Sequence, residues 1–329
     1  MNKDVSNNLI SEIQSKIEVL SNMEEKVKEW INVHLGKRKL WFSSDFLPAD
    51  EKNDENQSAA INKLRSRVRG IKDSARVALA VNLITEEGLP HFHRVIAKYL
   101  GDNSSWFDWL NMWTAEEDRH GGALRDYVRD GRVFNFNHIE KMQYAYIEKG
   151  FNPDWDKDPY RVFVYTTLQE RATQFSHKNT ANFIGEEEPL IKGILTSIAS
   201  DEAKHFTFYR NVFKAILEID PNEALKSALA IMPAIDMPGV SMPHFRDMAD
   251  VIRRAGIYGP WEYKKIVEEA LSFWNIHLLE GLNEIGRIAQ DKLMSIPKRL
   301  EKVAEYIEQK SKSKTFSFEF IYNRFLVME

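Results

Sequence analysis

A spaced glutamate unit that occurs twice constrains this 329-residue chain more than any other feature. Glu86 lies 31 residues before the motif Glu117–His120, and Glu170 lies 32 residues before Glu202–His205. One Glu-x-x-His is expected about once by chance at this content of acids and histidines. Two, each with a matching upstream glutamate, are not. Around the first motif, Trp106, Leu110, Trp113, Glu117, His120 and Leu124 advance in alternating steps of four and three. Around the second, Ile191, Leu195, Ile198, Glu202, His205, Tyr209, Val212 and Ile216 do the same. Such steps put each set on one helical stripe, apolar except at the motif positions. Leu79, Leu83, Glu86, Leu89 and His93 share a face, as do Phe163, Thr167, Glu170, Thr173 and His177. Pro90 removes the N–H that would bond the Glu86 carbonyl, so a kink is expected there.

Four carboxylates pointed into an apolar core repel one another and lose hydration, which would force several to protonate. Two divalent cations neutralise them, and two neutral imidazoles complete the shell. Carboxylate and imidazole ligands without thiolates suit iron or manganese better than a structural zinc site, with iron the better fit. A glutamate from each of two helices with a Glu-x-x-His from each of two others is the ligand pattern of ferritin-like di-iron bundles. The expected fold is therefore all-α, a ferritin-like di-iron four-helix bundle core with additional helices. Residues 1–329 are expected to form a single domain, with 1–25 a peripheral N-terminal helix. Helical periodicity covers about 8–34, 57–99, 104–128, 135–148, 159–182, 189–218, 222–232, 245–254, 261–289 and 294–311. Strand-like alternation is confined to the tail from Thr315 to Val327. Loop signals fall at Asp45–Asn56, Asn152–Pro159, Asp220–Pro221 and Met237–Pro243.

A net charge of −4 and a pI near 6.2 give no reason to expect nucleic acid. With no cysteine the chain holds no disulfide, thiolate metal site or iron–sulfur cluster, so electrons must come from another molecule. The N-terminus lacks the apolar core of a secretory signal, and the longest apolar stretch, Ala224 to Ile235, is too short to span a bilayer. A cytoplasmic protein is the expectation.

At these residues the chain resembles the soluble acyl-[acyl-carrier-protein] desaturases. The shared words are DFLP at Asp45–Pro48, ITEEGLP at Ile84–Pro90, WTAEEDRHG at Trp113–Gly121, QERAT at Gln169–Thr173, DEAKH at Asp201–His205 and EIDP at Glu218–Pro221. Weaker similarity continues through Ser241–Pro243 and Arg254–Tyr263. The resemblance implies an O2-dependent enzyme with two iron ions that forms a double bond between adjacent methylenes of a carrier-bound acyl chain. It also implies a ferredoxin-type electron donor and a homodimer. Glu86 and Glu170 match terminal ligands, Glu117 and Glu202 bridging ones, and His120 and His205 the nitrogen ligands. Thr173 matches a threonine facing the oxygen-binding side. Asp201 and Trp41 match positions associated with hydrogen bonding to a ligand histidine and with electron entry. Asp118, Ala203 and Phe206 depart from the family pattern, which bears on donor and chain specificity rather than on ligands. The ligand pattern also suits a ribonucleotide reductase small-subunit-like radical protein, or an N- or C-oxygenase. The former usually has Asp where Glu86 stands. A ferritin-like storage bundle would be much shorter.

The remaining histidines carry no motif; His91, His93 and His177 are read as packing residues, and His34, His138, His244 and His277 as unassigned. From Lys63 to Arg76 the chain holds six basic residues and one acid. Arg65, Arg69, Lys72 and Arg76 follow steps of four, three and four, which puts them on one helical face and would offer an acidic carrier a docking site beside the acyl tunnel.

Overall fold

The computed structural model describes residues 3–48, 54–99, 104–153, 157–235 and 238–329. Four helices enclose the centre: α4 (Asp73–Glu86), α6 (Ser105–Gly131), α8 (Pro159–Ile184) and α9 (Pro189–Ile219). α4 packs on α6 and α8, and α9 packs on the same two, closing a four-helix ring. α1 (Lys3–Ser21) and α2 (Glu24–Lys37) flank the ring, joined by α3 (Asp54–Val68), α5 (Leu89–Ala97) and α7 (Phe136–Lys149). After the ring come α10 (Pro221–Ile231), α11 (Phe245–Arg254), α12 (Pro260–Phe273) and α13 (Glu284–Lys310). The tail forms an antiparallel hairpin of β1 (Lys314–Ser317) and β2 (Phe325–Met328), with Lys314 opposite Met328. The expected strand-like alternation at the C-terminus is therefore present.

The long helices begin where side chains supply the missing acceptors. Ser104 accepts from the N–H of Phe107, Asp158 from those of Tyr160 and Arg161, and Glu188 from that of Leu190. Pro159 and Pro189 follow two of these caps, where a missing N–H costs nothing. Asp220–Pro221 separates α9 from α10 as expected. The other three loop signals include residues outside the described ones.

Three expected helices are divided. The segment 8–34 turns at Asn22–Met23. The segment 57–99 is three helices rather than one, interrupted at 69–72 and again at Glu87–Gly88. Pro90 marks a full break rather than a kink: α4 ends at Glu86, and Pro90 falls in the first turn of α5. The segment 261–289 stops at Phe273, because Asn275 adopts a left-handed conformation and Gly281 has φ +70°. Asn283 then caps α13, which continues through Pro297.

The corner after Glu86 is sterically tight. A Cβ on Gly88 would lie 2.8 Å from the Tyr146 hydroxyl and 2.9 Å from the Thr85 carbonyl oxygen. Gly88→Ala is expected to destabilise the protein by about 1–3 kcal/mol, the usual cost of overpacking. Thermal unfolding checks this, and an unchanged midpoint would show that the corner relaxes freely.

Candidate metal centre

Each ring helix delivers its residues at a defined level. Glu86 comes from the last residue of α4, Glu117 and His120 from the middle of α6, Glu170 from α8, and Glu202 and His205 from α9. All six are buried or nearly so. They form two overlapping sets whose ligand-type atoms lie within 4.8 Å of one another. One set is Glu86, Glu117, His120 and Glu202; the other is Glu117, Glu170, Glu202 and His205. Glu117 and Glu202 belong to both. The structure thus brings together every residue singled out from the spacing.

The polar atoms facing inward have no protein hydrogen-bond partner. Glu117 Oε1, Glu170 Oε2, both Glu202 oxygens, His120 Nδ1 and His205 Nδ1 are buried and unsatisfied. Leaving six such atoms unpaired in one spot costs far more than a domain tolerates. His205 Nδ1 sits 2.9 Å from Glu117 Oε1 and 3.5 Å from Glu170 Oε2; His120 Nδ1 sits 3.3 Å from Glu202 Oε1. Two cations among these atoms would satisfy them all, so the residues fit a two-metal centre.

Both imidazoles turn Nδ1 inward and Nε2 outward to an acid from the opposite motif. His205 Nε2 is 2.8 Å from Glu116 Oε2, and His120 Nε2 is 3.4 Å from Asp201 Oδ2. A proton held on Nε2 by the acid leaves Nδ1 with a free lone pair, as a metal ligand requires. Asp201 also accepts from Trp41 Nε1 at 2.8 Å, Arg119 at 2.7 Å and Lys204 at 2.8 Å. The Trp41 ring stacks on His120 with centroids 6.0 Å apart. Glu116 is held by His34 Nε2 at 3.1 Å.

The outer carboxylates are also fixed. His177 Nε2 lies 2.6 Å from Glu86 Oε1, while Asn82 Nδ2 approaches His177 Nδ1 at 3.4 Å. An amide donating to Nδ1 places the ring proton on Nε2, where it donates to Glu86. Trp113 Nε1 donates to Glu170 Oε1 at 3.2 Å. His177, His34 and Glu116 were not legible as part of the site. The sequence did hold one signal, an acid immediately before each Glu-x-x-His: Glu116 and Asp201.

Burial dominates the electrostatics. It pushes Glu86 up to about 7, against the bond from His177 and with the charges of Glu117 and Glu202 behind it. Glu170 is also raised, by burial and by the charge of Glu202. Burial works against ionisation of Glu202 too, but the adjacent His120 and His205 imidazoles hold it well below the ordinary range. Bonds to histidine likewise overcome burial at Asp201 and Glu116 and lower both.

A cavity of about 370 Å³ reaches this cluster. Glu86, Glu117 and Thr173 line its inner end with Leu89, Phe92, Trp113 and Ala172; α11, the start of α12 and Ile307 of α13 line the outer end. Thr173 donates to the Gln169 carbonyl at 3.0 Å and faces the cavity one turn beyond Glu170.

The basic segment departs from expectation. Its helix breaks at 69–72, so Arg65, Arg69, Lys72 and Arg76 share no helical face. Arg76 is buried and donates to the carbonyls of Ile71, Val133 and Val68. Arg65 donates to the Asp130 carbonyl. No residue from 63 to 76 lines the cavity. α4 places Asp73 and Glu86 at opposite ends, so the basic corner stands about 20 Å from the centre.

Fold and site together define a helical bundle whose buried carboxylate and imidazole cluster could hold metal, with an apolar cavity at its level. The chain belongs to the fatty acid desaturase family, whose model matches residues 15–322. It is 33% identical over 310 residues to DesA1 of Mycobacterium tuberculosis, named as an acyl-[acyl-carrier-protein] desaturase, covering 89% of this chain and 88% of that protein. It is 34% identical over 329 residues to the chloroplastic stearoyl-[acyl-carrier-protein] 9-desaturase of Ricinus communis, covering 94% of this chain and 82% of that one. The solved structure of DesA2 from Mycobacterium tuberculosis H37Rv shares the fold, with a TM-score of 0.60, 22% identity and coverage of 82% of this chain and 99% of that one. Among the described residues no helix is long and apolar enough to cross a membrane.

Proposed function

We propose that this chain is an O2-dependent di-iron desaturase that introduces a cis double bond into an acyl chain carried on acyl carrier protein, in fatty acid biosynthesis. The observation that carries this reading is the convergence of six buried ligand-type residues on one end of an apolar cavity. Glu86 and Glu170 would be terminal ligands, Glu117 and Glu202 bridging ones, and His120 and His205 the nitrogen ligands. Two iron ions held there would supply O2 activation and abstraction of hydrogen from an unactivated methylene pair.

The protein's own contribution is position and exclusion. Leu89, Phe92, Trp113 and Ala172 form walls that would hold a saturated chain extended against the carboxylates and keep water away. Thr173 places a hydroxyl on the cavity side, within reach of a proton there. Trp41, Asp201 and His120 form a continuous hydrogen-bonded and stacked path inward, suited to electron entry from a ferredoxin-type donor. The names of the relatives support carrier-bound substrate. Homodimeric assembly and a cytoplasmic location complete the reading.

Purified protein supplied with O2 and a reduced ferredoxin is expected to convert saturated acyl-carrier substrates to monounsaturated products, read by mass spectrometry. Free fatty acid and acyl-CoA should turn over more slowly, since only the carrier brings docking energy. Equal turnover of all three forms would reject the carrier as substrate, and hydroxylated product alone would reject desaturation.

A further inference from the structure

α13 carries two apolar faces. One, through Gly286, Ala289, Leu293, Ile296, Leu300 and Ala304, is buried, where the helix packs on α10 and α12. The other is exposed. Ile285, Ile288, Lys292, Ser295, Arg299, Val303, Tyr306 and Lys310 advance in steps of three and four, so they form one stripe along the helix. Its apolar members are 59%, 47%, 49% and 61% exposed at Ile285, Ile288, Val303 and Tyr306. Its charged members are all basic. Of the acids on the helix, Glu301 pairs with Lys264 and Glu308 accepts from Trp261 Nε1 on the opposite flank, while Glu284, Asp291 and Glu305 border the stripe without belonging to it.

This stripe ends at the outer rim of the cavity. Ile307, between Tyr306 and Lys310, is part of the cavity wall. Arg253, also in that wall, reaches Ser311 just beyond α13, and its neighbour Arg254 donates to the Lys312 carbonyl. A protein seated on the stripe would deliver a tethered chain into the cavity directly, which the corner at Arg65 and Arg69 would not.

Resting on the desaturase reading, we infer that the exposed face of α13 is the docking surface for the acidic carrier protein that presents the acyl chain. Lys292, Arg299 and Lys310 would pair with carrier carboxylates at the rim, and Val303 and Tyr306 would be covered at the centre. Charge selects an acidic partner here, and continuity with the cavity selects the one that carries substrate.

The test measures binding of acyl carrier protein bearing a palmitoyl group to the full-length protein by surface plasmon resonance, without turnover. Changing Lys292, Arg299 and Lys310 together to Glu is expected to weaken binding about tenfold or more at low salt, with the difference shrinking as salt rises. Val303→Ser with Tyr306→Ser should weaken it at all salt concentrations. The Arg65→Glu and Arg69→Glu pair should leave it unchanged. Loss confined to the Arg65 and Arg69 pair, or unchanged binding by every α13 variant, would overturn the assignment while leaving the desaturase reading intact. A native mass altered by the α13 changes would overturn it in favour of an interface between copies. Wild-type protein that neither binds the carrier nor unsaturates its acyl chain would reject the underlying reading instead.

Discussion

Glu117→Ala and Glu202→Ala are each expected to lose most of the iron, against two ions per chain for the unaltered protein. Each residue belongs to both overlapping ligand sets, so its removal withdraws an oxygen and a negative charge from two ions at once. Disturbing an outer partner of a metal ligand already costs about 10–100-fold in affinity, and loss of a shared ligand should cost more. Iron quantification after desalting is the measurement, and full iron content in both variants would sink the ligand set.

Stripping the metal should also destabilise the fold in a pH-dependent way. At metal concentrations a hundredfold above Kd, binding contributes about 2.7 kcal/mol, which a chelator removes. The metal-free protein then depends on protons. Glu86, pushed up to about 7, and Glu170, also raised, bind protons more tightly folded than unfolded. His120 and His205 are also raised, because bonds to neighbouring acids outweigh burial. All four contributions are complete below the unfolded pKa values and fade as pH rises through the folded ones. Metal-free protein should therefore lose stability as pH rises through about 7 and above. Metal-bound protein should not, because its ligands are already deprotonated. The gap between the two thermal midpoints should widen with pH; a gap that narrows would contradict the buried carboxylate cluster.

The parts of this site that could be read from sequence share one property. The six ligand-type residues sit on helical stripes whose three-and-four spacing is local, and a carboxylate on such a stripe announces itself by being out of place. Trp41 and Asp201 came only through resemblance to a family. His177 and His34 are not legible in this way, because their partners, Glu86 and Glu116, stand 91 and 82 residues away in the chain. Nothing within a helical turn of either histidine marks it as different from a packing residue. The helix corners failed for a related reason. Apolar periodicity runs through 57–99 uninterrupted, whereas the breaks at 69–72 and after Glu86 are decided by backbone and by packing against α6 and α7. The basic face failed with them, because it required the helix that the first of those breaks removes. At α12 and α13 the deciding residues were Asn275, Gly281 and Asn283, each acting on backbone geometry rather than on the hydrophobic pattern.

The acids before each Glu-x-x-His provide the other large expected effect. Glu116 on α6 reaches His205 of α9, and Asp201 on α9 reaches His120 of α6, so each motif orients the imidazole of the other. Asp201 is almost fully buried and accepts from Trp41, Arg119 and Lys204 as well as facing His120. Asp201→Ala leaves Arg119 without its carboxylate in a mostly enclosed place, and breaking a buried pair this way costs about 3–5 kcal/mol. It also frees His120 to rotate or change tautomer, which should weaken metal binding about 10–100-fold. Glu116→Ala should weaken metal binding similarly, through His205. Its effect on the fold should be smaller, because besides His205 it is held by His34, whereas Asp201 is held by three further donors. Asp201→Asn and Glu116→Gln separate the two contributions: each keeps the shape and an acceptor oxygen but lacks the charge that fixes the proton on Nε2. Thermal unfolding of metal-free protein, set beside competitive iron titration, reads stability and affinity independently. If Asp201→Ala lowers the metal-free midpoint no more than Glu116→Ala does, the four-partner network around Asp201 is not what holds that side of the bundle.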